Sequence, residues 1–361
     1  MSLMPNHTEP NVVEAQTSMP IPLVVDLDGT LTRVDTLHEG LIKLVKEKPT
    51  ASIRAITWLK AGKARFKSKV TEHVSVDVTL LPYNDAVLGE IKTARKEGRP
   101  VILATASDKR VAEDVAKHLG LFDQVIATTE EGNLSGKAKR EKLVYQFGVR
   151  GFDYVANGAV DLPIWQEARQ AYLVDAKASV IAQARKIHPD AKVLSSKTNV
   201  VSSLMEAARP YQWVKNLLIF IPVLASQHLT VTTLTQSFIA FLCFGAAASS
   251  VYLLNDALDL EADRQHPRKR KRPFASGRAP LLTGLITAVL LMLSALIGSL
   301  LLAPAFTLVL VSYLFVTVNY SMWIKRYTLI DVVVLAILYT IRILAGGAAT
   351  DIPLTLWLLG F

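Results

Sequence analysis

The sequence predicts two joined domains of different fold class: an α/β domain built on a parallel sheet and an all-α bundle of transmembrane helices. Its charged residues are divided unequally, since residues 1–208 carry 53 of them and residues 209–361 carry 18. Short apolar runs alternate with helical patterns in the first part. The second part consists of apolar runs of about 20 residues, enough to cross a bilayer. This pattern excludes a single soluble domain, a disordered chain and a disulfide-built scaffold.

Cysteine content and net charge exclude further classes of protein. The one cysteine, Cys243, excludes an internal disulfide and a cysteine-based zinc site. The formal net charge of +9 lies mostly at the edges of apolar runs, so we expect it to set membrane topology and not to bind nucleic acid. Residues 1–20 are polar and include Pro5, Pro10 and Pro20, which predicts a flexible tail and not a signal peptide.

The α/β domain is predicted over residues 21–194, with helices on both faces of the sheet. Its predicted strands are Ile21–Leu27, Pro100–Thr105, Gln124–Thr128, Tyr154–Ala156 and Ala171–Val174, and its predicted helices include Asp108–Leu119 and Lys137–Gln146. Residues 36–82 form a helical, Lys-rich insert in the place of a small cap. The cations of this insert could attract an anionic substrate or membrane surface, or simply face solvent. Residues 195–208 are predicted as a linker.

Two carboxylates, Asp26 and Asp28, stand two residues apart at the end of an apolar strand. They point the same way, into the crevice where open α/β sheets bind ligands, and Gly29 permits a sharp turn after them. The run Val24–Thr32 resembles the first motif of the haloacid dehalogenase (HAD) superfamily. That resemblance implies that Asp26 attacks phosphorus, that Asp28 is the general acid and base, and that both lie at a Mg²⁺ site.

Further HAD-like motifs follow in order along residues 21–190. The resemblance implies Thr105 as the phosphate-binding hydroxyl and Lys139 as the cation for the phosphate, with Lys137 as a close competitor. It implies Asp161 as a metal ligand, in a motif where Asn157 replaces the acid usual in the family. The expected activity is a phosphatase acting on a phosphorylated small molecule. Because of Asn157, a non-catalytic regulatory module is the alternative.

The membrane domain, residues 209–361, is predicted to contain about five spans and the start of a sixth. The predicted spans are residues 214–233, 234–254, 281–303, 304–324 and 328–350. Basic residues flank alternate ends of these spans, and basic loops stay in the cytoplasm. We therefore expect an integral protein of the inner or plasma membrane, with its α/β domain in the cytoplasm.

An acidic run follows the second predicted span. Asn255, Asp259 and Asp263 are spaced i, i+4 and i+8, so one helix face carries all three. Like charges at that spacing repel, and a divalent cation such as Mg²⁺ bridging a diphosphate would relieve the repulsion. Several cations follow between residues 264 and 278, where they can hold phosphate oxygens, set topology or bind anionic lipid.

This run resembles the first aspartate-rich motif of the UbiA-type intramembrane prenyltransferases, and its flanks Arg209–Asn216 and Arg272–Gly277 resemble the same family. The resemblance implies that Asn255, Asp259 and Asp263 bind Mg²⁺, with Asp256 as a secondary candidate. It also assigns phosphate binding to three cations: Lys215, Arg272 and Lys325.

Within that family the sequence is most similar to the branch that moves phosphoribose from phosphoribosyl diphosphate to a polyprenyl phosphate. The product of that reaction carries a 5-phosphate, which a fused phosphatase could remove. The alternative is an aromatic prenyltransferase, with a polyprenyl diphosphate donor and a hydroxybenzoate-like acceptor. Because the family has about nine spans and the run Leu354–Phe361 is too short to cross, we expect a truncated chain with little or no transferase activity.

Overall fold

The computed structural model describes residues 20–130, 132–196, 199–322 and 328–355. Within them, the N-terminal domain contains a six-stranded parallel sheet with the strand order β3-β2-β1-β4-β5-β6. The strands are β1 (Leu23–Val25), β2 (Val101–Asp108), β3 (Gln124–Thr128), β4 (Asp153–Ala156), β5 (Ala171–Ala176) and β6 (Lys192–Ser196). Because β1 lies between β2 and β4, the chain reverses its direction of travel across the sheet at β1. Such a reversal opens a crevice at the carboxyl ends of these strands.

Helices cover both faces of the sheet, and apolar side chains fill the two layers between. Val24 faces one core with Tyr154 and Trp165, whereas Leu23 and Val25 face the other. Burial on both faces is the usual state of parallel sheets. The helices are α1 (Thr36–Glu47), α2 (Pro49–Lys60), α3 (Lys63–His73), α4 (Asp85–Lys96), α5 (Lys109–Leu119), α6 (Lys137–Phe147), α7 (Leu162–Glu167), α8 (Ala178–Ile187) and α9 (Val200–Ala208).

The α/β class and the five predicted strands are confirmed, with bounds shifted by a few residues. The helices α1, α2 and α3 form the insert predicted as a cap. The segment 195–208 differs from the linker expected there, because it holds the end of β6 and the helix α9. The short strand β6 pairs with β5 alone, at the sheet edge. Its run Lys192–Ser196 is half polar, so it lacks the apolar signal of the central strands.

The C-terminal domain is helical. Its helices are α10 (Ile221–Ser226), α11 (Val231–Leu258), α12 (Leu260–Gln265), α13 (Leu281–Ser299), α14 (Pro304–Met322) and α15 (Thr328–Thr350). Among the described residues, four of these are long and apolar enough to cross a membrane: α11, α13, α14 and α15.

The predicted first span, residues 214–233, is wrong as a single transmembrane helix. That stretch is divided between a 3-10 helix (Pro210–Phe220), the short helix α10 and a turn at Gln227, where φ is +60°. Pro222 stands in the first turn of α10. Proline fixes φ and has no N–H to continue a preceding helix, so it favours a new start at that point.

Small residues on α11 let this helix pack closely against its neighbours. The indole ring of Trp213 lies against Gly245, where an added Cβ would come within 2.6 Å of the ring atom Cδ2. The indole N–H donates to the Ser249 hydroxyl at 2.9 Å, and that hydroxyl donates to the Ala208 carbonyl at 2.7 Å. Gly245 therefore fixes how the segment that enters the membrane domain sits on α11.

We expect Gly245→Ala to lower the stability of the protein by about 1–3 kcal/mol, the usual cost of overpacking. The matched control is Gly89→Ala on α4, where an added Cβ meets nothing within 4 Å. Alanine favours a helix, so the control should keep or slightly raise stability. Thermal unfolding followed by circular dichroism in detergent micelles compares the two. Equal midpoints for both variants would contradict the close packing described here.

Candidate functional site

The carboxyl ends of β1, β2 and β4 bring together the residues predicted for the soluble site. Asp26 follows β1, Thr105 lies in β2, and Asp161 ends the 3-10 turn after β4. Lys139 reaches the same place from the first turn of α6. These four residues are 1–8% exposed, although three of them are ionisable. Buried ionisable groups need partners, so the pairing among them decides the state of the site.

Lys139 links the two buried carboxylates. Its ammonium donates to Asp26 Oδ1 at 2.7 Å and to the Tyr154 hydroxyl at 3.2 Å, and that hydroxyl donates to Asp161 Oδ1 at 3.0 Å. Burial alone would lower the pKa of Lys139, but Asp26 and Asp161 offset it and raise the pKa. Burial, followed by the charge on Asp26, raises the pKa of Asp161 to about 6. Lys139 is thus the residue that makes a charged Asp26 compatible with burial.

Asp28 turns away from this pair and faces the cap. Its Oδ1 accepts the backbone N–H of Thr36 at 2.9 Å, and its Oδ2 accepts the hydroxyl of Ser107. Burial, followed by the charge on Asp35, raises the pKa of Asp28 to about 7. A carboxyl group with that pKa exchanges a proton near neutral pH, as a general acid and base must.

A small pocket lies between the cap and the sheet, bordered by Thr36, Lys67 and Ser107. Lys67, from the cap helix α3, donates to the carbonyl oxygen of Ala106 at 2.6 Å and to Asn133 Oδ1 at 3.1 Å. Burial lowers the pKa of its ammonium. Lys67 is one of nine Lys and Arg residues in the predicted insert, residues 36–82, and nothing in their spacing distinguished it from the other eight.

Asn157 lies against the turn that carries the two aspartates. A Cβ added to Gly29 would come within 2.2 Å of Asn157 Nδ2, so this amide packs directly on the backbone between Asp28 and Thr30. Gly29 also has φ of +71°, which favours glycine. The neutral amide therefore lies against Gly29, at the position where the resemblance leads one to expect an acid.

The second candidate site lies where α11 ends and α12 begins. Asp256 is 4% exposed and accepts Arg209 Nη2 at 2.5 Å and Arg272 Nη1 at 3.2 Å. The same Arg272 nitrogen donates to Asp263 Oδ2 at 2.8 Å. One guanidinium therefore joins two buried carboxylates. The sequence made Asp256 a secondary candidate and gave Arg209 no role, because their pairing joins residues 47 positions apart.

The three residues predicted to share one helix face have different partners in the structure. α11 ends at Leu258 and α12 begins at Leu260, but i+4 to i backbone bonds from Asp259 to Asn255 at 2.9 Å and from Asp263 to Asp259 at 2.8 Å continue across this interruption. Asn255 donates its amide to the Ser321 hydroxyl on α14 at 2.7 Å. Asp259 Oδ1 lies 4.0 Å from the ammonium of Lys46, which belongs to the cap. Asn255 and Asp259 therefore have partners other than the Arg272 group.

The three predicted phosphate-binding cations of this domain lie in different surroundings. Arg272 joins the acidic pair, and Lys215 is half-buried on the 3-10 helix Pro210–Phe220. Lys325 lies outside the described residues.

The donor chemistry of both sites suits Mg²⁺, which prefers carboxylate and amide oxygens. Arg272 shows that one cation can contact Asp256 and Asp263 together. Across residues 20–130, 132–196, 199–322 and 328–355, however, no three His, Cys, Asp or Glu residues are grouped so that they could hold a metal ion. The Mg²⁺ ligands predicted from the sequence therefore stay predictions.

Comparison with known families agrees with this division of the chain. Residues 23–164 match the haloacid dehalogenase-like hydrolases, and residues 217–361 match the UbiA prenyltransferase family. The chain joins a HAD-like domain to a UbiA-type domain. Mg²⁺ is common to both families.

Several proteins are similar to parts of this chain. A protein of Sinorhizobium fredii described as uncharacterized protein y4nM is 35% identical over 348 residues, which are 94% of this chain and 66% of that protein. The decaprenyl-phosphate phosphoribosyltransferase of Mycobacterium tuberculosis is 41% identical over 166 residues, 45% of this chain and 55% of that enzyme. Nodulation protein NoeC of Azorhizobium caulinodans is 36% identical over 156 residues, 43% of this chain and 51% of that protein. The chain thus spans between about half and two thirds of these relatives.

Lys139→Met should destabilise the HAD-like domain by about 3–5 kcal/mol at pH 8, because it leaves Asp26 and Asp161 buried without their cation. Burial already raises the pKa of Asp161, and removal of the nearby ammonium should raise it further above the unfolded value. The protonated form of Asp161 then favours folding at low pH, and this contribution is lost as pH rises through the folded-state pKa. The loss of folding free energy caused by Lys139→Met should therefore be smaller at pH 5 than at pH 8.

Lys137→Met, at an exposed position two residues earlier, is the control. Chemical unfolding with EDTA at both pH values measures the difference. An equal loss at both would exclude this pairing as the cause.

Asn157→Asp should increase the stabilisation that Mg²⁺ gives to the HAD-like domain. The new carboxylate repels Asp26 and Asp161 when the metal is absent and adds an oxygen ligand when it is present. A ligand that binds the folded state more tightly raises the melting temperature further. The measurement is the change in melting temperature between EDTA and millimolar MgCl₂, for wild type and variant. The same Mg²⁺-induced change in both proteins would contradict a metal site at Asn157.

Proposed function

We propose that the protein is a membrane enzyme with two activities. Its UbiA-type domain transfers a phosphoribosyl group from phosphoribosyl diphosphate to a polyprenyl phosphate, and its HAD-like domain removes the 5-phosphate of the product. The observation that carries the proposal is the buried Asp256–Arg272–Asp263 group, within a region similar to decaprenyl-phosphate phosphoribosyltransferases. The basic loop beside this group supports a cytoplasmic location for both sites.

In the proposed transfer, the bond between C1 of the ribose and the diphosphate oxygen breaks. A bond forms between C1 and an oxygen of the lipid phosphate, and pyrophosphate leaves. Asn255, Asp259 and Asp263 would hold Mg²⁺, which neutralises charge on the diphosphate. Arg272 and Arg209, already paired with carboxylates, supply fixed donors for phosphate oxygens. Since they are held before substrate arrives, little reorganisation is needed at the moment of reaction.

In the proposed hydrolysis, an oxygen of Asp26 attacks phosphorus while Asp28 donates a proton to the leaving sugar oxygen. Water then attacks the aspartyl-phosphate, Asp28 takes its proton, and inorganic phosphate leaves with Asp26 restored. Lys139 offers an ammonium to the phosphate oxygens beside Asp26. Thr105 Oγ1 accepts the Ser107 N–H at 3.0 Å, so its own proton is available for a phosphate oxygen. Mg²⁺ held by Asp26 and Asp161 would neutralise further phosphate charge.

The two steps are tested separately in membranes that contain the full chain. The first assay also tests the expectation, drawn from the sequence, of little or no transferase activity in this chain. Under the proposed function, wild type given labelled phosphoribosyl diphosphate and polyprenyl phosphate forms a lipid-linked ribose, and Asp256→Asn does not. Asp26→Asn should keep transfer and accumulate the 5-phosphorylated lipid, because it loses the nucleophile, whereas wild type releases phosphate.

The outcomes discriminate among the candidate functions. Absence of any lipid-linked ribose would exclude the proposed transfer. Product formation from polyprenyl diphosphate and a hydroxybenzoate in its place would establish the aromatic prenyltransferase. Equal phosphate release by wild type and Asp26→Asn, from phosphorylated lipid supplied directly, would show a non-catalytic HAD-like domain.

A further inference from the structure

The two domains meet at the first cap helix. Glu39, in the first turn of α1, forms a two-pronged ion pair with Arg264 of α12, with N–O distances of 2.8 Å and 2.5 Å. Both side chains are less than 10% exposed. Arg264 Nε also donates to the Ala275 carbonyl oxygen at 3.0 Å. A buried ion pair of this geometry stabilises one arrangement of α1 relative to α12, because separating the two helices would leave each charge buried without a partner.

Two lysines extend this contact along α1. Lys43 pairs with Glu261 at 2.6 Å, and Lys46 donates to the carbonyl oxygen of Leu258 at 2.8 Å, where α11 ends. The acidic loop of the UbiA-type domain is therefore held by three successive turns of a helix from the HAD-like domain.

The same helix starts at the general acid of the HAD-like site. Asp28 accepts the N–H of Thr36, the first residue of α1. Glu39 lies one turn further on. On the other side, Arg264 follows Asp263, whose carboxylate Arg272 joins to Asp256. A continuous series of contacts therefore runs from Asp28 to the acidic group of the membrane domain.

We propose that the Glu39–Arg264 pair couples the two sites, so that a phosphoryl group at Asp26 weakens the binding of magnesium diphosphate at the Asp256–Asp263 group. This inference rests on the proposed function, because it requires a phosphorylated ligand at each site.

Asp28 supplies the switching element. A phosphoryl group on Asp26 places anionic oxygens near the Asp28 carboxylate, and the repulsion turns that carboxylate away from Thr36 and Ser107. The Thr36 N–H then loses its acceptor, while Asp35 still caps α1 by accepting the N–H groups of Leu37 and His38. The first turn of α1 shifts and moves Glu39 away from Arg264, whereas Lys43 keeps its pair with Glu261. Asp263 is then no longer preorganised beside Asp256, and preorganisation is what keeps the affinity of such a site high. A loaded phosphatase site would thus delay the next transfer.

The experiment uses the full chain in lipid nanodiscs with millimolar MgCl₂. Pyrophosphate probes the membrane site, and beryllium fluoride, which mimics a phosphoryl group on a carboxylate, probes Asp26. Calorimetry gives the pyrophosphate Kd with and without beryllium fluoride, and Asp256→Asn identifies the heat that belongs to the membrane site. We expect beryllium fluoride to raise the pyrophosphate Kd by about fivefold or more. By reciprocity, pyrophosphate should raise the beryllium fluoride Kd by the same factor.

Two glutamate variants test the role of the pair. Glu39→Gln should have a raised pyrophosphate Kd that no longer depends on beryllium fluoride. Glu206→Gln is the matched control, because Glu206 also forms a two-pronged pair, with Arg278 at 2.7 Å and 2.8 Å, but contacts neither site. In Glu206→Gln, the pyrophosphate Kd and its dependence on beryllium fluoride should equal those of wild type.

Hydrogen exchange in wild type gives a measurement that needs no variant. Beryllium fluoride should increase amide hydrogen exchange in residues 259–276.

The outcomes separate the inference from the proposed function. If both probes bind wild type with independent affinities and exchange in residues 259–276 is unchanged, the coupling is refuted and the proposed function stands. Coupling that persists in Glu39→Gln would also refute it. If neither probe binds wild type, the proposed function and the coupling fail together.

Discussion

Buried carboxylates that share one cation are the constraint on which both sites depend. Lys139 joins Asp26 to Asp161 through Tyr154, and Arg272 joins Asp256 to Asp263. An isolated buried carboxylate costs several kcal/mol, so each acid is tolerated only where a cation reaches it. The same arrangement favours phosphate chemistry, because a fixed cation beside a carboxylate can bind a phosphate oxygen while the carboxylate binds a metal. The residues that folding requires at both places are therefore the same residues that the proposed phosphate chemistry would use.

The soluble site could largely be predicted from the sequence because strand ends are local features. Asp26, Thr105 and Asp161 each follow or end an apolar run, and parallel strands bring such ends to one edge. Lys139 could be named but not separated from Lys137, since that choice depends on which side of α6 faces the sheet. The direction of the Asp28 carboxylate, toward Thr36 and Ser107, was beyond the sequence because its partners come from separate segments.

The membrane domain was predicted less completely, for two physical reasons. Hydropathy identifies apolar length, but Pro222 divides the first apolar run into shorter helices. The i, i+4, i+8 spacing predicts a shared helix face, but it does not reveal that Asn255 bonds to α14 and that Asp259 lies near Lys46 of the cap. Asp256 is the acid that Arg209 and Arg272 satisfy. Its burial depends on the packing of distant segments, which no local pattern encodes.

The contact between α1 and α12 also fixes the side of the transmembrane helices on which the HAD-like site lies. Because Glu39 and Lys43 bind the loop that follows α11, the HAD-like site lies on the same side of the transmembrane helices as the acidic group. A diphosphate donor and a phosphorylated product would then be handled in one compartment. Moving a phosphate group across the hydrocarbon would cost many kcal/mol of lost hydration. Since the cap is attached to the loop that carries the acidic group, the product of the proposed first step would be released beside the second site, and no such crossing would be required.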